Sequence, residues 1–285
     1  MKVLITGVGG QLGSELKDLS VQYPSYSFKF VDRLELPFDQ VNNIKDYLNE
    51  NNPHIIINCA AYTAVDKAET EQELASLINF KAVKVISDWV KENDRKLIHI
   101  STDYVFQGDE REPIKESEST NPINFYGFSK EKGEQAIIES NSNSIIIRTS
   151  WVYSTYGHNF VKTMIRLMSE RDSISVINDQ IGSPTYAKDL AIAIMKIIKG
   201  DTFSKGIYHY SNEGEISWYE FAKAIQEISG LECEINPIPT QYYPTPAKRP
   251  KYSLLDKSKI KATYDVEVPE WKNSLKSMMD KLNVK

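Results

Sequence analysis

Tyr126 and Lys130 stand four residues apart in the run NFYGFSKEKGE at 124–134. On a helix that spacing puts both side chains on one face, with Cβ atoms about 5–6 Å apart. The pair has a chemical use. A phenol with a pKa of about 10 is a poor acid at neutral pH. A neighbouring ammonium stabilises the phenolate and brings the pKa toward the working range. Thr102, in the run STDYVFQG at 101–108, adds a hydroxyl that can bond a reacting carbonyl or the phenol itself. Thr102, Tyr126 and Lys130 therefore read as a catalytic set for proton transfer at an alcohol or ketone centre. Tyr and Lys are also common helix-surface residues, so the pair alone decides little.

A second cluster supplies a reason for such a set. Of 13 glycines, four (Gly7, Gly9, Gly10 and Gly13) fall within seven positions. They follow the apolar run KVLIT and precede QLGSELKDLS, whose Leu12, Leu16 and Leu19 have helical spacing. In a strand–turn–helix of this kind Gly7 allows the tight turn. Gly10 lets the backbone approach a pyrophosphate, and Gly13 permits close helix–strand packing, with helix amides facing the anion. The spacing is GxxGxxG rather than GxGxxG, and a ligand-free glycine turn would use the same residues. A dinucleotide site also needs a ribose reader about 20 residues on. Asp32 holds that place and suits the free hydroxyls of NAD. Arg33 beside it suits the 2′-phosphate of NADP. The two cues conflict. Asp39 is a further candidate on the adenine side.

The elements that must carry these residues alternate. Strands are expected at 2–6, 28–31, 55–58, 97–101 and 144–148, separated by helical stretches at 11–20, 41–50, up to about 92, and 126–140. Alternation of this kind gives βαβ units and a parallel sheet covered on both faces. Beyond 150 the pattern loosens. Helices are expected at 159–170, 185–199, 217–229 and 269–282, with short strands at 175–177, 207–210 and 233–237. Five prolines lie within 237–250, a segment expected to be a long loop. The fold class is α/β: a Rossmann-like doubly wound parallel sheet with a smaller C-terminal α/β substrate lobe. Residues 1–150 form the dinucleotide-binding core, and 151–285 form mainly the lobe, interwoven with it.

Composition bounds the partners. The 34 basic and 39 acidic residues give a net charge of −5, without the basic block a nucleic-acid binder uses. No apolar run approaches the ~20 residues of a membrane span, and the first residues lack a secretory pattern. Cys59 and Cys233 cannot make a disulfide framework, so a reducing, cytoplasmic setting is expected. Cys59 reads as a buried, inert thiol. The histidines (His54, His99, His158, His209) have no ligand spacing and read as structural. No metal site is assigned.

Seven segments taken together carry a resemblance. They are TGVGGQLG at 6–13, NCAAYTAVDKAE at 58–69, STDYVFQG at 101–108, NFYGFSKEKGE at 124–134, RTSWVY at 148–153, DQIGSPTYAKDLA at 179–191 and KRPKYSLLD at 248–256. The chain resembles the extended short-chain dehydrogenases/reductases and, among them, the dTDP-4-dehydrorhamnose reductase family. The resemblance implies reduction of the C4 ketone of dTDP-4-dehydro-L-rhamnose by NADPH or NADH, in a monomer or homodimer. Tyr126 would be the proton donor, and Lys130 would tune it and hold the nicotinamide ribose. Gly10, Gln11, Leu12, Asp32, Asp39, Ala61, Tyr62 and Thr63 would line the cofactor site. Thr102, Asp103, Tyr104 and Trp151 would contact the nucleotide sugar, and Arg249 its diphosphate or base. The alternatives are another sugar-nucleotide reductase or epimerase of the superfamily, or a regulatory subunit that binds dinucleotide without turnover.

Overall fold

The computed structural model describes residues 1–109 and 111–282, so the last three residues of the 151–285 segment lie outside the described residues. The first half is β1 (Lys2–Thr6), α1 (Gln11–Ser20), β2 (Ser27–Val31), α2 (Asn42–Asn51), β3 (Ile55–Asn58), α3 (Val65–Ala68), α4 (Gln72–Ser76), a π-helical turn (Leu77–Lys81), α5 (Ala82–Glu92), β4 (Lys96–Thr102), a 3₁₀ turn (Asp103–Val105), α6 (Phe125–Ser140) and β5 (Ser144–Thr149). The second half is β6 (Val152–Tyr153), α7 (Phe160–Glu170), β7 (Ser173–Ile177), β8 (Ile181–Gly182), β9 (Thr185–Tyr186), α8 (Ala187–Lys199), β10 (Gly206–His209), β11 (Ile216–Ser217), α9 (Trp218–Ser229), β12 (Glu234–Ile238), a 3₁₀ turn (Thr240–Tyr242), α10 (Ser258–Tyr264) and α11 (Trp271–Lys281).

Among the described residues six parallel strands form the main sheet in the order β10-β5-β4-β3-β1-β2. The chain reverses direction across the sheet between β1 and β3. Ligands of open α/β sheets bind at the carboxyl ends of strands flanking such a reversal. Strand side chains alternate between faces. Val3 and Ile5 join the apolar layer under α1, α8 and α10, whereas Leu4 joins the opposite layer under α2 and α5. A third apolar cluster belongs to α7, α9, α11, β7 and β12 and forms the lobe. Thus α8, β10 and α10 come from the second half of the chain but pack on the main sheet.

Several details differ from the pattern read from the sequence, among them the unexpected short strands β6, β8, β9 and β11, with β9 taking residues 185–186 from the expected helix. The helical stretch before residue 92 is broken into α3, α4, the π turn and α5. Pro237 and Ile238 continue β12 instead of opening the loop, with Pro237 paired to Val176 in a two-stranded sheet. An edge strand tolerates the missing N–H. The helix α10 has too short an apolar pattern to be read without the sheet it covers.

Helix α6 lies unusually close to its neighbours. A Cβ at Gly133 would sit 2.3 Å from the carbonyl oxygen of Asn79, and one at Gly127 would sit 2.1 Å from that of Tyr104. Alanine is favoured over glycine inside a helix by about 0.5–1 kcal/mol, but forcing a methyl into a packed backbone contact costs about 1–3 kcal/mol. The clash wins. Gly133→Ala is therefore expected to lower the denaturant midpoint, and a midpoint at or above that of the parent chain would contradict this packing.

Candidate active site

The glycine loop is shaped by two different demands. Gly7 has φ +71°, and a Cβ there would lie 2.6 Å from the Ala60 nitrogen. A Cβ at Gly13 would lie 2.5 Å from the Gly7 carbonyl oxygen. Packing requires these two glycines. At Gly9 a Cβ would meet nothing within 4 Å, and at Gly10 only the Gly7 oxygen at 3.2 Å. Both are exposed, and they lead into α1, whose N-terminus has no side-chain cap. An open glycine shelf before uncapped helix amides fits a phosphate group. Leu12 is buried beneath the shelf. Gln11 ties it to the lobe, donating through Nε2 to the Val152 carbonyl at 3.2 Å and accepting from Asn159 Nδ2 at 3.0 Å.

Asp32 follows β2 and accepts through Oδ1 from the backbone N–H groups of Leu34 (2.8 Å) and Glu35 (3.0 Å). Its carboxylate thus shapes the turn that presents Arg33. Arg33 and Asp39 are both exposed. The segment with Ala61, Tyr62 and Thr63 follows β3 and is held by a residue outside the sequence-derived set. Asn79, in the π turn, accepts from Tyr62 N–H at 2.9 Å and donates to the Tyr62 carbonyl at 3.0 Å and to Ser129 Oγ at 2.9 Å. One buried amide therefore joins the loop after β3 to α6.

Helix α6 starts at the Asn124 cap, whose Oδ1 accepts from Gly127 N–H at 2.8 Å. This places Tyr126 in the first turn, beside Thr102 and edge-on to Tyr104, with ring centroids 5.8 Å apart. Thr102 donates to Asp103 Oδ1 at 3.0 Å and accepts from Tyr104 N–H at 3.1 Å. Burial pushes the Tyr126 phenol up to about 12, with the Thr102 hydroxyl opposing the shift. Burial also raises the Asp103 carboxyl to about 6.

The expectation that Lys130 lowers the phenol's pKa is not met in this state. Lys130 is 1% exposed. Its Nζ donates to the Ile100 carbonyl at 2.6 Å and lies 3.3 Å from His99 Nε2. Lys130 Nζ is thus turned to β4 instead of to Tyr126. Burial pushes Lys130 down to about 8, against the favourable pull of Glu134 one turn further along α6.

Two residues expected on the substrate side, Trp151 and Arg249, lie after β5 and in the Pro-rich segment. Trp151 follows β5 with φ +48°, and its ring stacks on Trp218 of α9 at 3.7 Å between centroids. Trp218 was not legible as a site residue, because only the lobe's folding brings it under Trp151. Arg249 forms a two-point ion pair with Asp66 of α3, at 3.1 and 2.9 Å, and donates to Thr245 Oγ1 at 2.6 Å. Asn124 Nδ2 donates to the Lys248 carbonyl at 2.7 Å. The Pro-rich segment is thereby fastened to α3 and to the N-terminus of α6. Among the described residues no cluster of three or more potential metal ligands occurs, and no helix is long and apolar enough to cross a membrane.

A parallel sheet with a glycine turn at its reversal point and a Thr–Tyr–Lys set on the end of β4 and the first turns of α6 defines a dinucleotide-dependent short-chain dehydrogenase/reductase. Comparison with known proteins narrows this. The family model described as RmlD substrate binding domain matches residues 1–284. A dTDP-4-dehydrorhamnose reductase of Aggregatibacter actinomycetemcomitans is 40% identical over 97% of this chain and 98% of its own. The crystal structure of a dTDP-4-dehydrorhamnose reductase from Clostridium acetobutylicum superposes with a TM-score of 0.95 at 39% identity, covering 99% of both chains. Another from Bacillus anthracis, in complex with NADP, gives 0.93 at 42% identity over 98% of this chain and 99% of that one. The chain belongs to the RmlD substrate-binding-domain family, the dTDP-4-dehydrorhamnose reductases.

The position of Lys130 gives a pH dependence. Its charged form is present below its pKa of about 8 and lost above it. Affinity for NADPH is expected to weaken as the pH rises through about 8, because an amine attracts ribose oxygens less than an ammonium does. Fluorescence titrations across this range should show the midpoint in the parent chain and a flat profile in Lys130→Met. A midpoint retained in that variant would assign the titration to another group.

Proposed function

We propose that this protein reduces the C4 ketone of dTDP-4-dehydro-L-rhamnose to dTDP-L-rhamnose with NADPH or NADH. The observation that carries the reading is Tyr126 beside Thr102 at the end of β4, with Lys130 one turn further along α6, in a chain of this family. The exposed Gly9 and Gly10 and the amides opening α1 hold the pyrophosphate. Asp32, Arg33 and Asp39 surround the adenosine end, and Ala61, Tyr62 and Thr63 pass along the middle. When bound, the dihydronicotinamide supplies a hydride to C4.

The chain's own residues handle the proton and the sugar. Tyr126 is the acid: its O–H bond breaks and the proton goes to the oxygen that becomes the C4 hydroxyl. The raised phenol pKa in the free protein keeps that proton in place until reaction. As the phenol becomes a phenolate, Thr102 turns its hydroxyl proton from Asp103 to it, and the Lys130 ammonium stabilises it from the same helix face. Asp103 and Tyr104 line the sugar site behind Thr102, and Trp151, braced by Trp218, offers a flat apolar wall. Arg249 stands near the diphosphate path. Its fork is filled by Asp66 in this state, so binding the dianionic nucleotide requires the two to share or exchange. The two free cysteines accord with a cytoplasmic setting.

An epimerase of the same superfamily regenerates its own cofactor, whereas this reaction consumes one NAD(P)H per sugar. Absorbance at the dihydronicotinamide band should therefore fall steadily and in stoichiometric amount with dTDP-4-dehydro-L-rhamnose. Tyr126→Phe is expected to lose about 10²–10⁴-fold in kcat with little change in cofactor affinity. Full turnover in that variant would remove Tyr126 from the acid role.

A further inference from the structure

Beneath Lys130 lies a buried polar chain that the reaction described above does not use: Thr6 at the end of β1, Asn58 at the end of β3 and His99 in β4. Thr6 Oγ1 donates to Asn58 Oδ1 at 2.7 Å, and the Ala60 N–H donates to the same oxygen at 3.2 Å. A backbone N–H only donates, so the Asn58 amide is fixed with its oxygen on that side. Its NH₂ group then faces His99 Nδ1 at 3.0 Å. An amide NH₂ has only donors. His99 Nδ1 must hold a lone pair, and the neutral ring carries its proton on Nε2. Burial holds the ring neutral, well below the usual histidine range.

His99 Nε2 stands 3.3 Å from Lys130 Nζ. An ammonium has only donors, so Nε2–H and an ammonium facing each other form no hydrogen bond. The contact closes only when Nζ presents a lone pair. The amine can accept from His99 Nε2–H and still donate to the Ile100 carbonyl at 2.6 Å. The other groups around Nζ do not supply this selectivity. Glu134, on the same helix, favours the ammonium, but its carboxylate is taken by Arg148 of β5 in contacts of 2.6–3.1 Å. Cys59, after β3, is held as a neutral thiol by burial, at about 12. Asp103 faces Thr102, and the Tyr126 phenol is protonated.

We propose that His99, locked by Asn58 as its Nε2–H tautomer, is a positioning residue that favours the amine form of Lys130 in the free protein and yields it when Lys130 turns to the cofactor, so that cofactor binding takes up a proton from solvent. The proton adds to the Nζ lone pair and no other bond changes. This rests on the reading of Lys130 as the lysine that faces the cofactor ribose.

Three measurements test it. ¹⁵N spectra of histidine-labelled protein should show His99 protonated at Nε2 only. ¹³Cε spectra of labelled lysine should place the Lys130 midpoint near 8 and move it upward by about one unit in His99→Asn, which keeps a partner for Asn58 and deletes the Nε2–H. His99→Gln, which offers Lys130 an amide oxygen, should also raise it. Calorimetry of NADH binding near pH 8, in buffers of different ionisation enthalpy, should register about half a proton taken up per site and none in either variant. An Nδ1–H tautomer in the parent chain, or an unchanged Lys130 midpoint in a folded variant, would overturn the proposal. If neither variant folds, the parent tautomer still decides. The tautomer and the midpoint are read without cofactor or substrate, so they stand apart from any failure of the reductase reading, which Tyr126→Phe tests.

Discussion

The site depends on how closely the backbone of α6 can lie against the strand-end turn and the π turn. Gly127 and Gly133 allow backbone-to-backbone contact with Tyr104 and Asn79. With side chains at those positions the helix would stand off by the width of a methyl group. Tyr126 would then leave Thr102, and Lys130 would leave the end of β4. Hydrogen bonding of that kind fails over a few tenths of an ångström. The two glycines thus act on chemistry that neither of them touches.

Docked this closely, α6 brings buried charge to the sheet, and the structure compensates for it locally. Arg148 and Glu134 are both almost fully buried and form a two-point pair, with the guanidinium over the Phe106 ring. Removing one partner of such a pair costs about 3–5 kcal/mol, far more than the about 0–1 kcal/mol of a surface pair such as Lys84–Asp88. The pair clamps α6 to β5. Because it occupies the Glu134 carboxylate, it also leaves Lys130 without a carboxylate of its own. The lysine then meets a backbone carbonyl and a histidine, an arrangement that suits a group meant to change partners.

The lobe is joined to this core by a few polar bonds around the cleft as well as by packing. Gln11 reaches Val152 and Asn159, Asn124 reaches Lys248, and Arg249 reaches Asp66. Each connects a residue of the first half of the chain with one of the second half. The stacked Trp151 and Trp218 complete the wall, with Gly182 leaving room for the Trp151 ring at 3.1 Å from where its Cβ would stand. The apolar cluster of the lobe is nevertheless separate from those of the main sheet.

Local sequence determined the parts whose physics is local. The apolar run before Gly7 specified a buried strand, and the glycine spacing specified a turn into a helix. The four-residue step from Tyr126 to Lys130 specified a shared helix face, and the alternation of strands and helices specified a parallel sheet. Tertiary structure decided which partners these residues meet. Periodicity could not reveal the π turn that aims Asn79 at Tyr62, nor the pairing of Trp218 with Trp151. It could not show that Arg249 is held by Asp66, or that Lys130 turns to His99 instead of to Tyr126. These contacts join residues from about 17 to 183 positions apart. Spacing along a helix fixes which side chains share a face; only the packing of that face against the sheet fixes the charge they carry.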